Sequence, residues 1–319
     1  MTLARRRAAL VSLLSVLVAC SREREQASDR APPSSSSSSL VSTSEATPPP
    51  ELLYVPSAEA LLPPPAGGGL LPNAPRTALG RCPSDMVDVR GEFCIDRYES
   101  LLFDAGRGEA LSPYFHPTRA QTAVSYARYK RMFVEGRQPA FPEPPAFQLE
   151  SELEPLARSL ANVVPSGYLS GVVARAACER AGKRLCTSDE WLTACRGQSG
   201  RAFPYGDRYE DGACNVHRTT HPAAALHGDA SRHHLDPRLN RVSDRSGALL
   251  RPTGTQSRCR SEWGSDAVFD MVGNLDEWAA DSAFHGGFYA RATREGCEAR
   301  ISSHPVGYFD YSLGTRCCR

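Results

Sequence analysis

Ten cysteines after residue 80 constrain this chain more than any other feature, while the eleventh, Cys20, stands alone near the start. The ten are Cys82, Cys94, Cys178, Cys186, Cys195, Cys214, Cys259, Cys297, Cys317 and Cys318. An even number in an exported domain argues for a disulfide framework, although spacing by itself leaves the connectivity open. No C-x2-C pair occurs and Cys317-Cys318 is the one vicinal pair, so zinc has no support. Dense crosslinking suits a loop-rich architecture. The 25 glycines and 25 prolines agree, since they argue for many turns and against a helical bundle.

The N-terminus bears on whether those cysteines meet an oxidising compartment. Residues 5–7 are arginines, and residues 8–19 are apolar apart from Ser12 and Ser15. Residues 1–19 therefore read as a signal peptide, too short to be a spanning helix. Their end, Leu17-Val18-Ala19-Cys20, resembles the lipobox of bacterial lipoproteins, which implies lipidation of Cys20. Ser21 follows, so the inner-membrane retention associated with Asp at that position is not implied, and anchorage in the outer membrane, on the periplasmic or surface side, is expected. Residues 20–80 hold a serine run at 34–39, prolines at 48–50 and 63–65, and glycines at 67–69. Such a segment cannot bury enough apolar surface to offset its ordering entropy, so a disordered tether is expected. Residues 81–319 are left as the folded domain.

Thirty-seven basic against 36 acidic side chains give a formal charge of +1, which offers no overall footprint for nucleic acid or an anionic membrane. Within the domain, residues 82–100 read as a hairpin around Arg90-Gly91, and a helix is expected over residues 120–134. Ser170 is placed to cap a helix running through Ala181. Thr187-Ser188-Asp189-Glu190 has the form of a capping box that opens a second helix ending at Gly197.

That second helix carries the first of five ordered motifs. Ala181-Gly182-Lys183-Arg184-Leu185-Cys186-Thr187-Ser188-Asp189-Glu190-Trp191 resembles the A-G-K-R-L-P-T-E-x-E-W stretch of formylglycine-generating enzymes, also called sulfatase-modifying factors. Phe203-Pro204-Tyr205-Gly206-Asp207 is similar to F-P-W-G, and Val272-Gly273-Asn274-Leu275-Asp276-Glu277-Trp278 to V-G-N-x-x-E-W. His285-Gly286-Gly287 stands where R-G-G is usual, and Gly314-Thr315-Arg316-Cys317 resembles G-F-R-C. The resemblance spans roughly residues 80–319 and implies an α+β, C-type-lectin-like fold of that family, loop-rich and disulfide-bonded. Function does not follow from fold alone.

In the family, two cysteines after R-G-G hold the copper with which oxygen converts a sulfatase cysteine to formylglycine. Soft thiolates suit Cu(I). Here the segment from Phe288 to Cys297 holds a single cysteine, Cys297, which by the same resemblance aligns with a structural position of the family. Copper is therefore not expected. The same alignment implies Cys178–Cys317 and Cys195–Cys297 disulfides, and the further expectations are Cys82 with Cys94 across the hairpin, Cys186 with Cys318, and Cys214 with Cys259. A structural Ca2+ site of the family would carry over to Asp270, Gly273, Leu275 and Glu277, the alternative being a solvated acidic turn. A second would carry over to Asn215, Val216 and Asp229.

His217, His221, His227, His233 and His234 lie in a loop-like region without helical spacing and are expected to be surface residues. Serines lack a G-x-S-x-G context, so a hydrolase triad is not indicated. Trp191, Trp263 and Trp278 read as core aromatics, with Trp263 the one placed to line a cleft. The expected groove is formed by Tyr205, His285, Arg291, Arg294, Arg300 and His304, with guanidinium groups that suit an anionic ligand. The favoured function is an envelope-anchored lipoprotein with a non-catalytic domain binding a peptide, glycan or protein partner. The alternative is a copper- and oxygen-dependent oxidoreductase of the formylglycine-generating type.

Overall fold

The computed structural model describes residues 82–292 and 294–319. Residues 1–81, and with them Cys20 and the expected signal peptide and tether, lie outside the described residues, as does Thr293.

The first strands, β1 (Met86–Val89) and β2 (Phe93–Asp96), form an antiparallel hairpin with Met86 opposite Asp96. Its turn works because Arg90 and Gly91 both take positive φ and Asp88 Oδ1 accepts from the Gly91 amide at 2.6 Å. Strand β3 (Ser100–Asp104) pairs antiparallel with β4 (Pro155–Ser159). Between them lie α1 (Arg119–Met132) and the short α2 (Ala146–Glu150), within the region where sequence periodicity is weakest.

Two capped helices follow. In α3 (Gly171–Arg180) the Ser170 hydroxyl accepts from Val173 N, and after β5 (Arg184–Leu185) comes α4 (Ser188–Arg196). Both reciprocal bonds of its capping box form: Thr187 Oγ1 accepts from Glu190 N at 3.2 Å, and Glu190 Oε2 accepts from Thr187 N at 2.9 Å. A one-and-a-half-turn helix, α5 (Pro222–His227), and the small hairpins β6 (Ser243–Asp244) with β7 (Gly247–Ala248) and β8 (Arg260–Trp263) with β9 (Asp266–Phe269) complete the middle of the chain.

The remaining strands are β10 (Asp276–Trp278), β11 (Phe284–His285), β12 (Arg300–Ile301), β13 (Leu313–Gly314) and β14 (Cys317–Cys318). One four-stranded sheet has the order β1-β2-β14-β5 and the other β12-β11-β10-β13, the β10/β13 pair being parallel. A core cluster around Trp191, Trp263, Met271 and Cys195 packs beside one around Trp278, Phe284 and Leu313. Trp263 is therefore a core residue and lines no cleft: it is buried and its Nε1 donates to Ala194 O at 3.1 Å.

All ten cysteines of the domain are paired, Cys82–Cys94, Cys178–Cys317, Cys186–Cys318, Cys195–Cys297 and Cys214–Cys259. Three of these bonds span 102 to 139 residues and tie the α3–α4 region to β14 and to the turn before β12. Among the described residues no helix is long and apolar enough to cross a membrane.

Candidate functional site

The site is built where α4 meets β10, β11 and β12. Trp191 of α4 is buried and donates from Nε1 to Glu277 Oε2 of β10 at 2.7 Å. Strand register sets His285 of β11 opposite Glu277 and Arg300 of β12 opposite His285. The His285 ring stacks on Trp191, centroids 4.9 Å apart and planes 21° off parallel. Two glycines allow this convergence. A Cβ on Gly286, at φ +91°, would stand 2.7 Å from Met271 O, and one on Gly273, at φ +82°, would stand 2.2 Å from Asn215 O. The two glycine motifs meet directly, Gly273 N donating to Gly286 O at 3.0 Å.

At the start of α4, Ser188 Oγ lies 2.7 Å from His285 Nε2 and 2.8 Å from both oxygens of Asp281, and Arg300 Nη2 donates to Asp281 Oδ2 at 3.1 Å. These four line a cavity of about 260 Å³ with Asp189 and Glu298 at its edge. Burial pushes His285 down to about 4, so its ring is neutral at neutral pH. Burial alone would raise Asp281, but the hydrogen bonds from Ser188 and Arg300 hold its carboxyl below the usual range.

Serine, histidine and aspartate are all here, in the wrong order for nucleophilic catalysis. Both His285 and Asp281 converge on the hydroxyl, and His285 Nδ1 is buried without a hydrogen-bond partner. A triad needs the acid on that far nitrogen to orient the base. What the cavity presents instead is a fixed set of donors and acceptors around a neutral imidazole. Ser188 and Asp281 escaped the sequence reading because nothing in their local context signals a site. Their meeting depends on pairing residues 93 apart.

The expected groove does not form as one surface. Only His285 and Arg300 share the cavity. Arg291 turns inward, its Nη2 2.7 Å from Oδ2 of fully buried Asp276, whose carboxyl burial raises to about 7 despite that pairing. Arg294 lies over the Tyr209 ring, Tyr205 stacks on Phe203, and His304 stacks between Phe284 and Tyr308. A continuous cationic groove is therefore corrected to a small mixed-charge cavity, because two of its expected cations, Arg291 and Arg300, already face carboxylates.

The calcium expectation also fails on donor chemistry. Glu277 accepts from Arg316 at both oxygens, 2.6 Å each, as well as from Trp191. Asp270 Oδ2 accepts from Gly254 N at 2.6 Å, while Glu99 accepts from Leu275 N and Asn274 Nδ2. The guanidinium of Arg316, fully buried, is the counter-cation of this carboxylate group. Burial first, then mutual repulsion, raises Glu99, and burial lifts Asp270 to about 7. At the second position Asn215 Nδ2 donates to Leu249 O and Asn274 Oδ1, its carbonyl accepts from Asn274 N, and Asp229 bonds Ser231 and Arg232. Neither set fits Ca2+, and among the described residues no group of three His, Cys, Asp or Glu side chains is arranged for a metal.

The histidines expected at the surface are half-buried instead. His227 lies 3.0 Å from Asp236 and stacks on His233 with centroids 4.4 Å apart, while His221 and His234 pack on Tyr311 and His217 on Tyr209. Ring packing, invisible in their spacing, draws them in.

The description of the sulfatase-modifying factor enzyme 1-like domain matches residues 160–315. Residues 160–315 are a domain of the sulfatase-modifying-factor family. Solved structures to which the chain is similar include one titled "Crystal Structure of CarF", at 14% identity with TM-score 0.33, covering 71% of this chain and 85% of that one. Another is PvdO from Pseudomonas aeruginosa, at 15% identity with TM-score 0.33, covering 71% of this chain and 80% of that one. No curated protein matches the chain. The copper pair that the family resemblance implies has no fit here. Cys297 is fully buried in its bond to Cys195, and the segment before it offers guanidinium groups and no soft donor.

Proposed function

We propose that this protein is an envelope-anchored lipoprotein whose sulfatase-modifying-factor domain binds a ligand or partner without catalysing formylglycine formation. The observation that carries the reading is the Cys195–Cys297 disulfide: the one cysteine near the expected redox position has no thiolate to offer a metal or a substrate. The cavity of Ser188, Asp281, His285 and Arg300 supports the binding half. Its neutral imidazole, hydroxyl and ion pair are fixed by α4 and three strands before any ligand arrives, which suits a small polar group at the end of a peptide, glycan or protein side chain. Lipidation at Cys20 would hold the domain at the outer membrane, on the periplasmic or surface side, apart from unfolded sulfatases in the cytoplasm.

The deciding experiment is an aldehyde assay on a C-x-P-x-R peptide, with copper supplied and oxygen present, alongside an anaerobic Cu(I) titration. The expected outcome is no turnover above background and no stoichiometric Cu(I) binding. Turnover that disappears in Cys297→Ser would refute the reading and make the chain an oxidoreductase.

A further inference from the structure

The net charge of +1 conceals a local segregation. Over residues 119–137 the chain places Arg119, Arg128, Lys130, Arg131 and Arg137 against a single carboxylate, Glu135. Most of this stretch is α1, which carries apolar side chains on its outer side as well as its inner one. Its inner side buries Thr122, Ser125 and Tyr129 and packs Tyr126, with Phe133 just past its end, against Phe141, while Thr122 Oγ1 donates to His116 O at 2.9 Å and accepts from Gln148 Nε2 at 3.2 Å. Its outward ridge is Ala120, Val124 and Ala127 with Arg128 and Arg131, continued by Met132 and Val134. Val124 is 62% exposed, Val134 53% and Met132 43%, three of the four large hydrophobic side chains the described residues leave in solvent. A helix docked on its own domain ordinarily confines its large apolar side chains to the inner side and leaves the outer one polar.

From this we infer that the outward ridge of α1 rests on an anionic phospholipid surface, with Val124, Met132 and Val134 entering the headgroup layer and the arginines pairing with lipid phosphates. Arg119 and Lys130 are already engaged by Glu152 and Glu143, whereas Arg131 and Arg137 have no ion pair among the described residues and Arg128 only lies along the Tyr129 ring. Aliphatic side chains flanked by long cations that can extend toward phosphate are the composition of an interfacial helix. The ridge carries no aromatic residue of the kind that anchors protein interfaces, and a single convex helix offers no pocket for one from a partner. A fluid bilayer asks for no such complementarity.

The idea rests in part on the lipoprotein reading, which supplies nearness: an acyl anchor at Cys20, ahead of the domain in the same chain, keeps the domain beside the bilayer, so even a weak second contact is made at high effective concentration. The ridge itself can be tested without the anchor. The mature chain from residue 20, carrying Cys20→Ser, is mixed with phosphatidylglycerol-rich vesicles and with purely zwitterionic ones, and co-flotation is measured at low and high salt. Binding to the anionic vesicles alone, weakening with salt, is expected, and it should fall by at least about tenfold in Arg128→Glu/Arg131→Glu and in Val124→Asp. None of these side chains is in the core, so all variants should keep the wild-type thermal transition. Absence of binding to anionic vesicles, equal binding to both kinds, or binding that these substitutions leave unchanged would each overturn the inference. Acylation of Cys20 is read separately in cells, so a failure of the anchor and a failure of the ridge give different results.

Discussion

Replacing Asp276 with asparagine should change how stability depends on pH. Asp276 is fully buried, its Oδ1 accepts from Gly287 N and Arg291 Nη1 at 3.0 Å each, and burial raises its carboxyl from 3.8 to about 7. A carboxyl whose folded pKa is raised favours folding most when protonated. Its contribution is fully present below the unfolded value and is lost as pH rises through about 7. Raising the carboxyl from 3.8 to about 7 makes the loss on the order of 4 kcal/mol between about pH 4 and pH 8, at about 1.4 kcal/mol for each tenfold change in proton affinity. Asparagine keeps an oxygen for the Gly287 amide and cannot titrate, so relative to the parent the variant should gain that amount over the same interval. Denaturant titrations of both proteins, with disulfides intact, at several pH values yield the difference directly. Glu99 and Asp270 titrate in both proteins and drop out of it. Two stability curves that stay parallel within about 1 kcal/mol would refute the argument that burial dominates this site.

Other outcomes follow from the same structure. Arg316→Met leaves Glu277 and its neighbours without their buried cation and should cost about 3 to 5 kcal/mol, seen as a lower denaturation midpoint, whereas a surface change such as Arg260→Met should cost little. Titration of the denatured, unreduced domain with a thiol reagent should find no free thiol among the ten cysteines, and Cys195→Ala/Cys297→Ala should lose about 4 to 5 kcal/mol through release of a loop of 102 residues. Chelator should leave the melting temperature unchanged, since Arg316 fills the role expected of Ca2+, and a chelator-induced drop reversed by Ca2+ would contradict that. In cells, labelled palmitate should mark the parent chain and be absent from Cys20→Ala.

Local signals were readable wherever one short stretch decides the structure. Thr187 and Glu190 satisfy each other's backbone within four residues, Ser170 caps α3, and the hairpin turns at Arg90-Gly91. The five cysteine pairs in the structure also coincide with those implied or expected from the sequence. Legibility ended where charges meet across the chain. Glu99 reaches Asn274 and Leu275 over more than 170 residues, and Arg316 reaches Glu277 over 39, so an acidic turn that resembles a calcium loop is in fact an ion-paired cluster. The cationic groove failed for a related reason: the sequence displays Arg291 and Arg300, but not Asp276 and Asp281 facing them. Residues 120–134 read as a helix and α1 covers most of them, yet which side it shows to solvent is set by contacts such as those of Gln148 and His116 and not by its own periodicity.

Strand β14 sits in the middle of its sheet, between β2 and β5, and both of its residues are crosslinked, one to α3 and the other to the segment before α4. Ribosomes and secretion channels deliver chains N-terminus first. The hairpin, β5 and both capped helices therefore emerge with a gap where residues 317 and 318 belong, exposing unpaired edges and reduced thiols in the interval. An oxidant acting early has Cys178 and Cys186 within eight residues of each other and their proper partners not yet delivered. Correct pairing of Cys178 and Cys186 therefore has to wait for residues 317 and 318, so the place of β14 in the sheet sets the order in which these disulfides can form.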